Sequence, residues 1–388
     1  MYEADPTTPS RLAHRTPRDS GAGRGTVELV RATAFTVPTD APEADGTIAW
    51  DSTTCVVVEV GCDGLTGTGW TYGAPAVAEL VRELLAPVVE GRDALAVADL
   101  WSDQVRAMRN VGTRGPGAMA VSALDTALWD LRARLLGVPL HQLLGSDRVS
   151  VPVYGSGGFT TYSQERTVEQ LTGWAALGAH WVKLKIGESW GTCVDRDLER
   201  TAAVVGAVGR GVEVFVDANG GFSVGQAVRV GRRLDELGVT WFEEPVSSDD
   251  PAGLRHVRER VVADVAAGEY ADSLDAVRVL CASGAVDCLQ LDVTRIGGIT
   301  ALYRAAAIAQ AHHLDVSAHC APHLSAVAFS AVPGLRHLEY FHDHVRVEEL
   351  LFDGVPRLVA GCLPLDADAS GHGMRLRPDA SRWLAGPA

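Results

Sequence analysis

The sequence has no apolar run that approaches the ~20 residues needed for a membrane-spanning helix, and its first 25 residues contain no hydrophobic segment typical of a secretory signal. Its seven cysteines never form a CxxC motif, and an odd number scattered over so long a chain is typical of reduced thiols. These absences argue against a membrane protein and against a secreted disulfide scaffold. They predict a cytoplasmic protein.

Basic residues are also in deficit. The chain has 34 Lys and Arg residues against 49 Asp and Glu residues, which gives a formal net charge of −15. A charge of this sign argues against nucleic acid or an anionic membrane surface as the main partner. It does not exclude small anions, because a bound cation can attract them locally.

Length and composition predict a folded chain of more than one domain. Its 388 residues exceed the roughly 250–300 residues that one hydrophobic core usually serves, and 47% hydrophobic and 21% charged residues are ordinary globular values. Residues 1–25 are rich in Pro, Thr, Ser, Gly and Arg and are predicted to form a disordered arm. The four arginines of this segment leave a binding arm as the alternative.

Residues 26–145 are predicted to form an α+β capping domain. TVELVRATAFTV and TTCVVVEVGCDGLTGTGWTY are β-rich, with CDG as a turn, and residues 75–136 carry apolar residues at helical spacing. The polar segment 38–51 contains Pro and Gly and predicts a loop, either a passive connection or a lid over an active site.

Residues 146–345 are predicted to form an α/β barrel. Eight β-rich runs alternate with helical segments, except that no helix is expected after the last run, HLEYF. A doubly wound sheet would also alternate, but no GxGxxG follows the first strand, so we expect a TIM-type (β/α)7–8 barrel. Residues 346–388 are expected to pack back on the capping domain.

Three acidic residues recur at equal intervals near predicted strand ends. Asp217, Glu243 and Glu269 are each 26 residues apart, which is one βα repeat, so they should stand on neighbouring strands only ~4.8 Å apart. Carboxylates this close need a cation to remain ionised, and an all-oxygen set suits Mg²⁺, with Mn²⁺ possible. The alternative is that each acid caps the following helix.

Basic groups occupy other strand ends. Lys183 and Lys185 lie on one face of a strand, since side chains alternate with period two. Mutual repulsion and a nearby cation are expected to lower the pKa of Lys185 and make it a base, although an exposed basic strand end is the alternative. Asp292 and His319 end the sixth and seventh strands, so they are expected to pair as a second acid/base group.

The chain closely resembles the mandelate racemase subgroup of the enolase superfamily over about residues 26–365. A Lys or His base working with Mg²⁺ is the known pattern of this superfamily. The motifs that carry the resemblance, in chain order, are GPGAMAVSALDTALWDLRARLLGVPLHQLLG, VKLK, VDANGG, WFEEP, AAGE, LQLDVTRIGG, SAHCAPH and HLEYF.

The resemblance implies a role for each site residue. It implies that the three spaced carboxylates bind Mg²⁺. It also implies that Lys185 acts as a base on one face of the substrate and His319 on the other, and that Lys183 holds the substrate carboxylate. It further implies a proton-donating Glu339 and substrate contacts from Ser156 and Asn219. Glu244, the second acid of WFEEP, is expected to point to the other face of its strand.

The family resemblance also implies a homo-oligomer that acts on a small carboxylate substrate. Dehydration of a sugar acid to a 2-keto-3-deoxy acid is the leading expectation, and racemisation or epimerisation of a 2-hydroxy acid or related carboxylate is the alternative. Polar residues of segment 38–52 favour a hydroxylated substrate, whereas Trp50, Trp70 and Tyr72 could line an apolar pocket. Cys320 is not expected to be a nucleophile, and His323 has no assigned role. A barrel that only binds a ligand is disfavoured, because no catalytic position is vacant.

Overall fold

A computed structural model describes residues 25–386. All but the last residue of the predicted arm 1–25 therefore lies outside the described residues. Within residues 25–386, no helix has both the length and the apolar character required to cross a membrane.

The described chain begins with a three-stranded antiparallel sheet of order β1-β2-β3, formed by Leu29–Ala44, Ala49–Cys62 and Leu65–Tyr72. The predicted CDG turn is confirmed, because Asp63 and Gly64 both have positive φ between β2 and β3.

The predicted loop 38–51 is wrong, since β1 and β2 continue through it as a long hairpin. We call residues 38–51 the capping hairpin. Pairing shifts register between Pro38 and Glu43, so that the extra residues form a bulge in β1. Asp45 secures the tip, because its Oδ1 accepts hydrogen bonds from the backbone N of Thr47 and Ile48 at 2.6 and 2.8 Å. The polar residues that suggest a loop thus serve a bulge and a tight turn.

Helices cover one face of this sheet, as predicted for residues 75–136. They are α1 (Ala76–Leu80), a π-helical turn (Val81–Leu85), α2 (Ala86–Val89), α3 (Val97–Ala107), a 3₁₀ turn (Met108–Asn110), α4 (Pro116–Leu136) and α5 (Leu140–Leu143). The long helix α4 packs directly on β3, where Gly67 and Gly69 allow the close approach. A Cβ atom at Gly69 would lie only 2.3 Å from the carbonyl oxygen of Ala123.

Eight parallel strands then close into a barrel, because the last strand pairs with the first. The strands are β4 (Ser150–Gly157), β5 (Trp181–Lys185), β6 (Glu213–Asp217), β7 (Trp241–Glu243), β8 (Asp264–Ala267), β9 (Cys288–Leu291), β10 (Asp315–Ala318) and β11 (Leu335–Phe341). The barrel and its eight strands are thus confirmed.

The barrel helices follow the strands in turn. They are α6 (Gln164–Ala176), α7 (Glu188–Gly191), α8 (Val194–Ala207), α9 (Val224–Leu237), α10 (Pro251–Arg258), α11 (Leu274–Ser283), α12 (Gly298–Ala311), α13 (Pro322–Ala328) and α14 (His342–Leu351). Helix α14 follows the strand after which none was expected, and it crosses the predicted boundary at residue 346.

The C-terminal residues return to both parts of the fold. Short strands β12 (Phe352–Asp353), β13 (Cys362–Pro364) and β14 (Arg375–Leu376) are followed by a 3₁₀ helix (Pro378–Trp383). Strand β13 pairs with β4 of the barrel. Beyond the 3₁₀ helix, the backbone N of Ala385 donates to the carbonyl oxygen of Ala34 in β1 at 2.9 Å.

The interior of the barrel is filled below the strand ends. Tyr154, Phe215 and Trp241 form a buried aromatic cluster around the ring of His337. The layer above this cluster, at the carboxyl ends of the strands, is where active sites of such barrels lie.

Candidate active site

Three carboxylates converge at the carboxyl end of the barrel. Asp217 and Glu243 are register partners at the ends of β6 and β7, and Glu269 lies two residues beyond β8. One oxygen from each residue lies within 4.8 Å of the other two, and all three side chains are buried. The structure therefore brings together the three residues that the sequence assigns to a metal.

The chemistry of this cluster fits Mg²⁺. Burial raises the pKa of Glu243 to about 8, and although Lys183 opposes the rise, the Asp217 charge adds to it. The Oε2 atom of Glu269 is buried and accepts no hydrogen bond, although His319 Nε2 lies 3.2 Å from it. A hard divalent cation would offset this repulsion and use this oxygen, and the all-oxygen donor set is the one that Mg²⁺ prefers.

Two buried ammonium groups contact the carboxylates. The Nζ of Lys183 lies 2.6 Å from Glu243 Oε1 and 2.8 Å from Glu339 Oε1. The Nζ of Lys185 lies 2.5 Å from Asp217 Oδ2. Because these side chains project from alternate positions of β5, both reach the same cluster.

The protein's own charges raise the pKa of Lys185, so the low pKa expected beside a cation stays a prediction. Burial lowers its pKa, and repulsion from Lys183 acts in the same direction, but the adjacent Asp217 carboxylate outweighs both, so the pKa is well above its ordinary value. The ion pair between Lys185 and Asp217, a residue of the metal-type cluster, is a contact that strand spacing does not predict.

His319 and Asp292 form the predicted pair. The Nδ1 of His319 lies 2.7 Å from Asp292 Oδ2, and Asp292 Oδ1 accepts hydrogen bonds from the backbone N and the hydroxyl of Thr294, both at 2.7 Å. The His319 Nε2 faces the cluster, 3.2 Å from Glu269 Oε2. Burial lowers the pKa of His319, but the Glu269 charge and the bond to Asp292 raise it above its ordinary value.

Glu339 is held between the two basic groups. Its Oε1 accepts a hydrogen bond from the hydroxyl of Ser156 at 2.6 Å, so the structure places both predicted residues in the site. Burial raises the pKa of Glu339, but Lys183 and His319 outweigh burial and hold that pKa well below its ordinary range. This direction favours the ionised form of Glu339, whereas the family resemblance implies a proton donor.

Asn219 and Glu244 both lie at the rim of the cluster. The backbone N of Asn219 donates to Asp217 Oδ1 at 2.9 Å, and its buried side-chain Oδ1 accepts no hydrogen bond. The expectation that Glu244 points away is wrong. The positive φ of Glu244 takes its side chain out of the strand alternation. Burial raises the pKa of Glu244, and the charges of Glu269 and Asp217 raise it further.

Cys320 lies in the site, whereas His323 does not. The Sγ of Cys320 is 3.2 Å from His319 Nε2, and burial, reinforced by Glu339, raises its thiol pKa well above the ordinary value. His323 is fully buried, with its Nδ1 2.6 Å from Glu348 Oε2, and Glu348 also accepts a hydrogen bond from Trp70. His323 therefore belongs to the packing between the barrel and the first sheet.

An aromatic wall borders the site, and of its residues the sequence points only to Trp50. Phe159, Tyr162 and Phe341 form one apolar cluster with Cys320 and with Trp50 of the capping hairpin. Ring centroids of Phe159 lie 5.5 Å from Trp50 and 5.6 Å from Phe341. Trp50 thus lines this wall, as one of the two sequence alternatives proposed.

Arg295 is a further residue that the sequence reasoning misses. It lies in DVTRIGG, three residues after Asp292, and its Nη1 is 3.5 Å from Glu269 Oε1 while its Nε is 3.5 Å from Asp292 Oδ2. It therefore links the metal-type carboxylates to the histidine pair. Its position beside a predicted site residue is the signal that could have identified it.

Comparison with known proteins gives matches over most of the chain. Residues 30–145 match the mandelate racemase / muconate lactonizing enzyme N-terminal domain, and residues 166–380 match the enolase C-terminal domain-like family. A mandelate racemase/muconate lactonizing enzyme-like protein from Rubrobacter xylanophilus is 48% identical, with a TM-score of 0.89 over 93% of this chain and 100% of that one.

Other relatives have named activities. The L-talarate/galactarate dehydratase of Salmonella typhimurium is 30% identical over 83% of this chain and 80% of its own length. A racemase from Streptomyces coelicolor A3(2), solved with bound magnesium, is 27% identical, with a TM-score of 0.87 over 92% of this chain and 100% of that one. Further relatives are named as sugar-acid dehydratases and as cycloisomerases. The chain belongs to the mandelate racemase/muconate lactonizing enzyme family of the enolase superfamily.

Proposed function

We propose that this enzyme removes the proton α to the carboxylate of a small organic acid and, with a sugar acid, eliminates the β-hydroxyl as water to give a 2-keto-3-deoxy acid. The observation that carries the proposal is the placement of Lys185 and the His319–Asp292 pair on different sides of the carboxylate cluster. Relatives named as dehydratases of galactarate, arabinonate, gluconate and mannonate support this outcome.

Asp217, Glu243 and Glu269 would hold Mg²⁺, which when bound supplies positive charge beside the substrate carboxylate and favours the neutral amine of Lys185. Solved relatives with bound magnesium support this assignment, and Mn²⁺ is the second candidate. The protein's own contribution is to keep the three carboxylates buried and close to one another.

Lys183 and Glu339 are placed to receive the substrate carboxylate. Lys183 now holds the pKa of Glu339 low through a 2.8 Å contact. A substrate carboxylate that competes for Lys183 would let the pKa of Glu339 rise, so that Glu339 can donate a hydrogen bond to the oxygen on which charge develops. Ser156 would keep the Glu339 carboxyl oriented.

Lys185 and His319 would act on the α- and β-carbons. Lys185 would take the α-proton to give an enediolate, and protonated His319 would donate its proton to the departing β-hydroxyl. Asp292 supports the protonated imidazole, because it accepts the Nδ1 hydrogen. Tautomerisation of the resulting enol then gives the keto acid.

A second candidate function is racemisation or epimerisation by the same groups. The aromatic wall of Trp50, Phe159, Tyr162 and Phe341 favours it, because these rings would pack on an apolar substituent more readily than on a chain of hydroxyls. With no leaving group at the β-carbon, His319 would return a proton to the opposite face. Homo-oligomerisation stays a prediction.

Proton exchange in heavy water tests the shared first step. With a panel of mono- and diacid sugars and 2-hydroxy acids, we expect Mg²⁺-dependent exchange of the α-proton, lost on chelation and restored by Mg²⁺. Lys185→Ala should abolish exchange on one face and His319→Asn on the other. His312→Asn, at an exposed histidine after α12, is the matched control.

The products then separate the two functions. A keto acid released from a sugar acid supports dehydration, whereas loss of optical purity without a keto product supports racemisation. Absence of exchange with every acid would contradict the proposal, and identical losses in the Lys185 and His319 variants would contradict the two-sided arrangement.

A further inference from the structure

A second group of potential metal ligands lies where the capping hairpin meets the barrel. Asp40 and Glu43 belong to the β1 strand at its register shift, and His342 is the first residue of α14. One ligand atom from each lies within 4.8 Å of the other two, and His342 Nε2 is 3.1 Å from Asp40 Oδ2. We call these three residues the hairpin site.

One oxygen of the hairpin site has no partner. Glu43 is fully buried, and although its Oε2 accepts a hydrogen bond from Trp50 Nε1 at 2.9 Å, its Oε1 accepts none. A buried carboxylate oxygen without a donor or cation costs free energy. Among the three ligands only Glu43 is fully buried, whereas Asp40 is exposed and His342 is half-buried.

The charged groups around the site have other partners. Both oxygens of Asp343 are engaged, one by Arg346 at 2.8 Å and the other by the hydroxyl of Thr53. Arg346 also donates to the carbonyl oxygen of Pro38 at 2.6 Å, and Arg166 lies 3.7 Å from the outer oxygen of Asp40. In this arrangement neither arginine makes a hydrogen bond to Glu43.

We propose that Asp40, Glu43 and His342 bind a divalent transition-metal ion of the Zn²⁺ class, at a site separate from the barrel Mg²⁺ site. One imidazole and two carboxylates suit Zn²⁺ better than Mg²⁺, which prefers oxygen ligands alone. The site shares no residue with the three-carboxylate cluster. Because its ligands come from β1 and α14, the bound ion ties the capping hairpin to the barrel.

Metal content after equilibration with Zn²⁺ tests this site. The full chain, kept in excess Mg²⁺ so that the barrel site is filled, is expected to bind one Zn²⁺ at the hairpin site. Glu43→Gln and His342→Asn should each weaken this binding about tenfold or more, since loss of a ligand costs at least as much as the roughly 10–100-fold loss seen for second-shell partners. Glu83→Gln and His312→Asn, at exposed positions, are the matched controls.

A different Zn²⁺ location must be separated from this one. His319, Cys320 and Glu339 also place ligand atoms within 4.8 Å of one another. Cys320→Ala should therefore retain the hairpin-site ion. Zn²⁺ binding that survives Glu43→Gln and His342→Asn, or that is lost only with Cys320→Ala, overturns the proposal, as does absence of Zn²⁺ from the wild type.

Hydrogen exchange gives a readout that does not depend on activity. Zn²⁺ should increase the protection of the backbone amides of residues 38–51 in the wild type and in both controls, and the same protection should require about tenfold or more Zn²⁺ in Glu43→Gln or His342→Asn. Equal protection with and without Zn²⁺ in the wild type would refute the tie between hairpin and barrel. Failure of this site leaves α-proton exchange unaffected, so the two proposals fail separately.

Discussion

Replacement of Gly46 by Ala should lift the tip of the capping hairpin from the barrel. A Cβ atom at Gly46 would lie 2.8 Å from the carbonyl oxygens of Ala218 and Ile186 and 2.9 Å from that of Gly187. These are backbone atoms, which cannot rotate away. Ordinary contacts begin near 3.4 Å, so the tip must move by roughly half an ångström or more.

The size of the effect follows from the hydrogen bonds that hold the tip. Trp190 N donates to the carbonyl oxygen of Gly46 at 2.8 Å, Thr160 Oγ1 donates to that of Asp45 at 2.8 Å, and Thr160 N donates to that of Ala44 at 2.9 Å. Each bond contributes about 1 kcal/mol. Loss of all three would shift the balance between docked and undocked tip by about 3 kcal/mol, or roughly a hundredfold.

Hydrogen exchange of the hairpin amides measures this shift directly. In Gly46→Ala, amides of residues 44–49 should exchange up to about 100-fold faster, while those of the barrel strands keep wild-type rates. The rate of α-proton exchange should fall in parallel, because Trp50 leaves the aromatic wall. Gly206→Ala is the matched control, since a Cβ atom there meets nothing within 4 Å.

Unchanged protection of the tip in Gly46→Ala would refute this reasoning. It would mean that the three carbonyl groups yield to the methyl group at little cost. Faster exchange throughout the chain would also refute it, because the clash lies only at the tip of the capping hairpin.

Three further predictions concern catalysis, pH and packing. Asp292→Asn should slow the step assigned to His319 by about 100-fold or more, measured as face-specific exchange, because the Nδ1 hydrogen loses its carboxylate. Burial raises the pKa of Asp125 to about 7, although Thr300 opposes the rise. Since the folded protein binds this proton more tightly than the unfolded chain, stability should fall as pH rises from about 4 to 7. Asp125→Asn should remove that part of the slope in urea unfolding, and equal slopes would contradict it. Gly69→Ala should lower the free energy of unfolding by about 3 kcal/mol or more, since the Cβ atom would clash with α4; a wild-type melting temperature would contradict it.

Sequence spacing was sufficient for the metal-type cluster. A repeat of 26 residues places Asp217 and Glu243 in register on neighbouring strands, and period-two alternation puts Lys183 and Lys185 on one face. These inferences depend only on strand geometry, which is the same in all parallel barrels.

Features that depend on contacts between distant segments could not be predicted from residue spacing. The direction of the Lys185 pKa shift depends on its 2.5 Å contact with Asp217, which spacing does not give. Glu244 escapes strand alternation through its positive φ. The capping hairpin is polar in sequence, yet its strands pair because a bulge and the Asp45 turn accommodate the polar residues.

The buried position of Lys183 and Lys185 has a practical consequence, because they are the only two lysines among 388 residues. A lysine-specific protease has just these two cleavage points in the whole chain, and both lie on β5 inside the barrel. Cutting therefore requires β5 to leave the sheet, so the cleavage rate of the native protein reports how often the barrel opens. Amine-reactive labels would likewise mark only this site and the N-terminus.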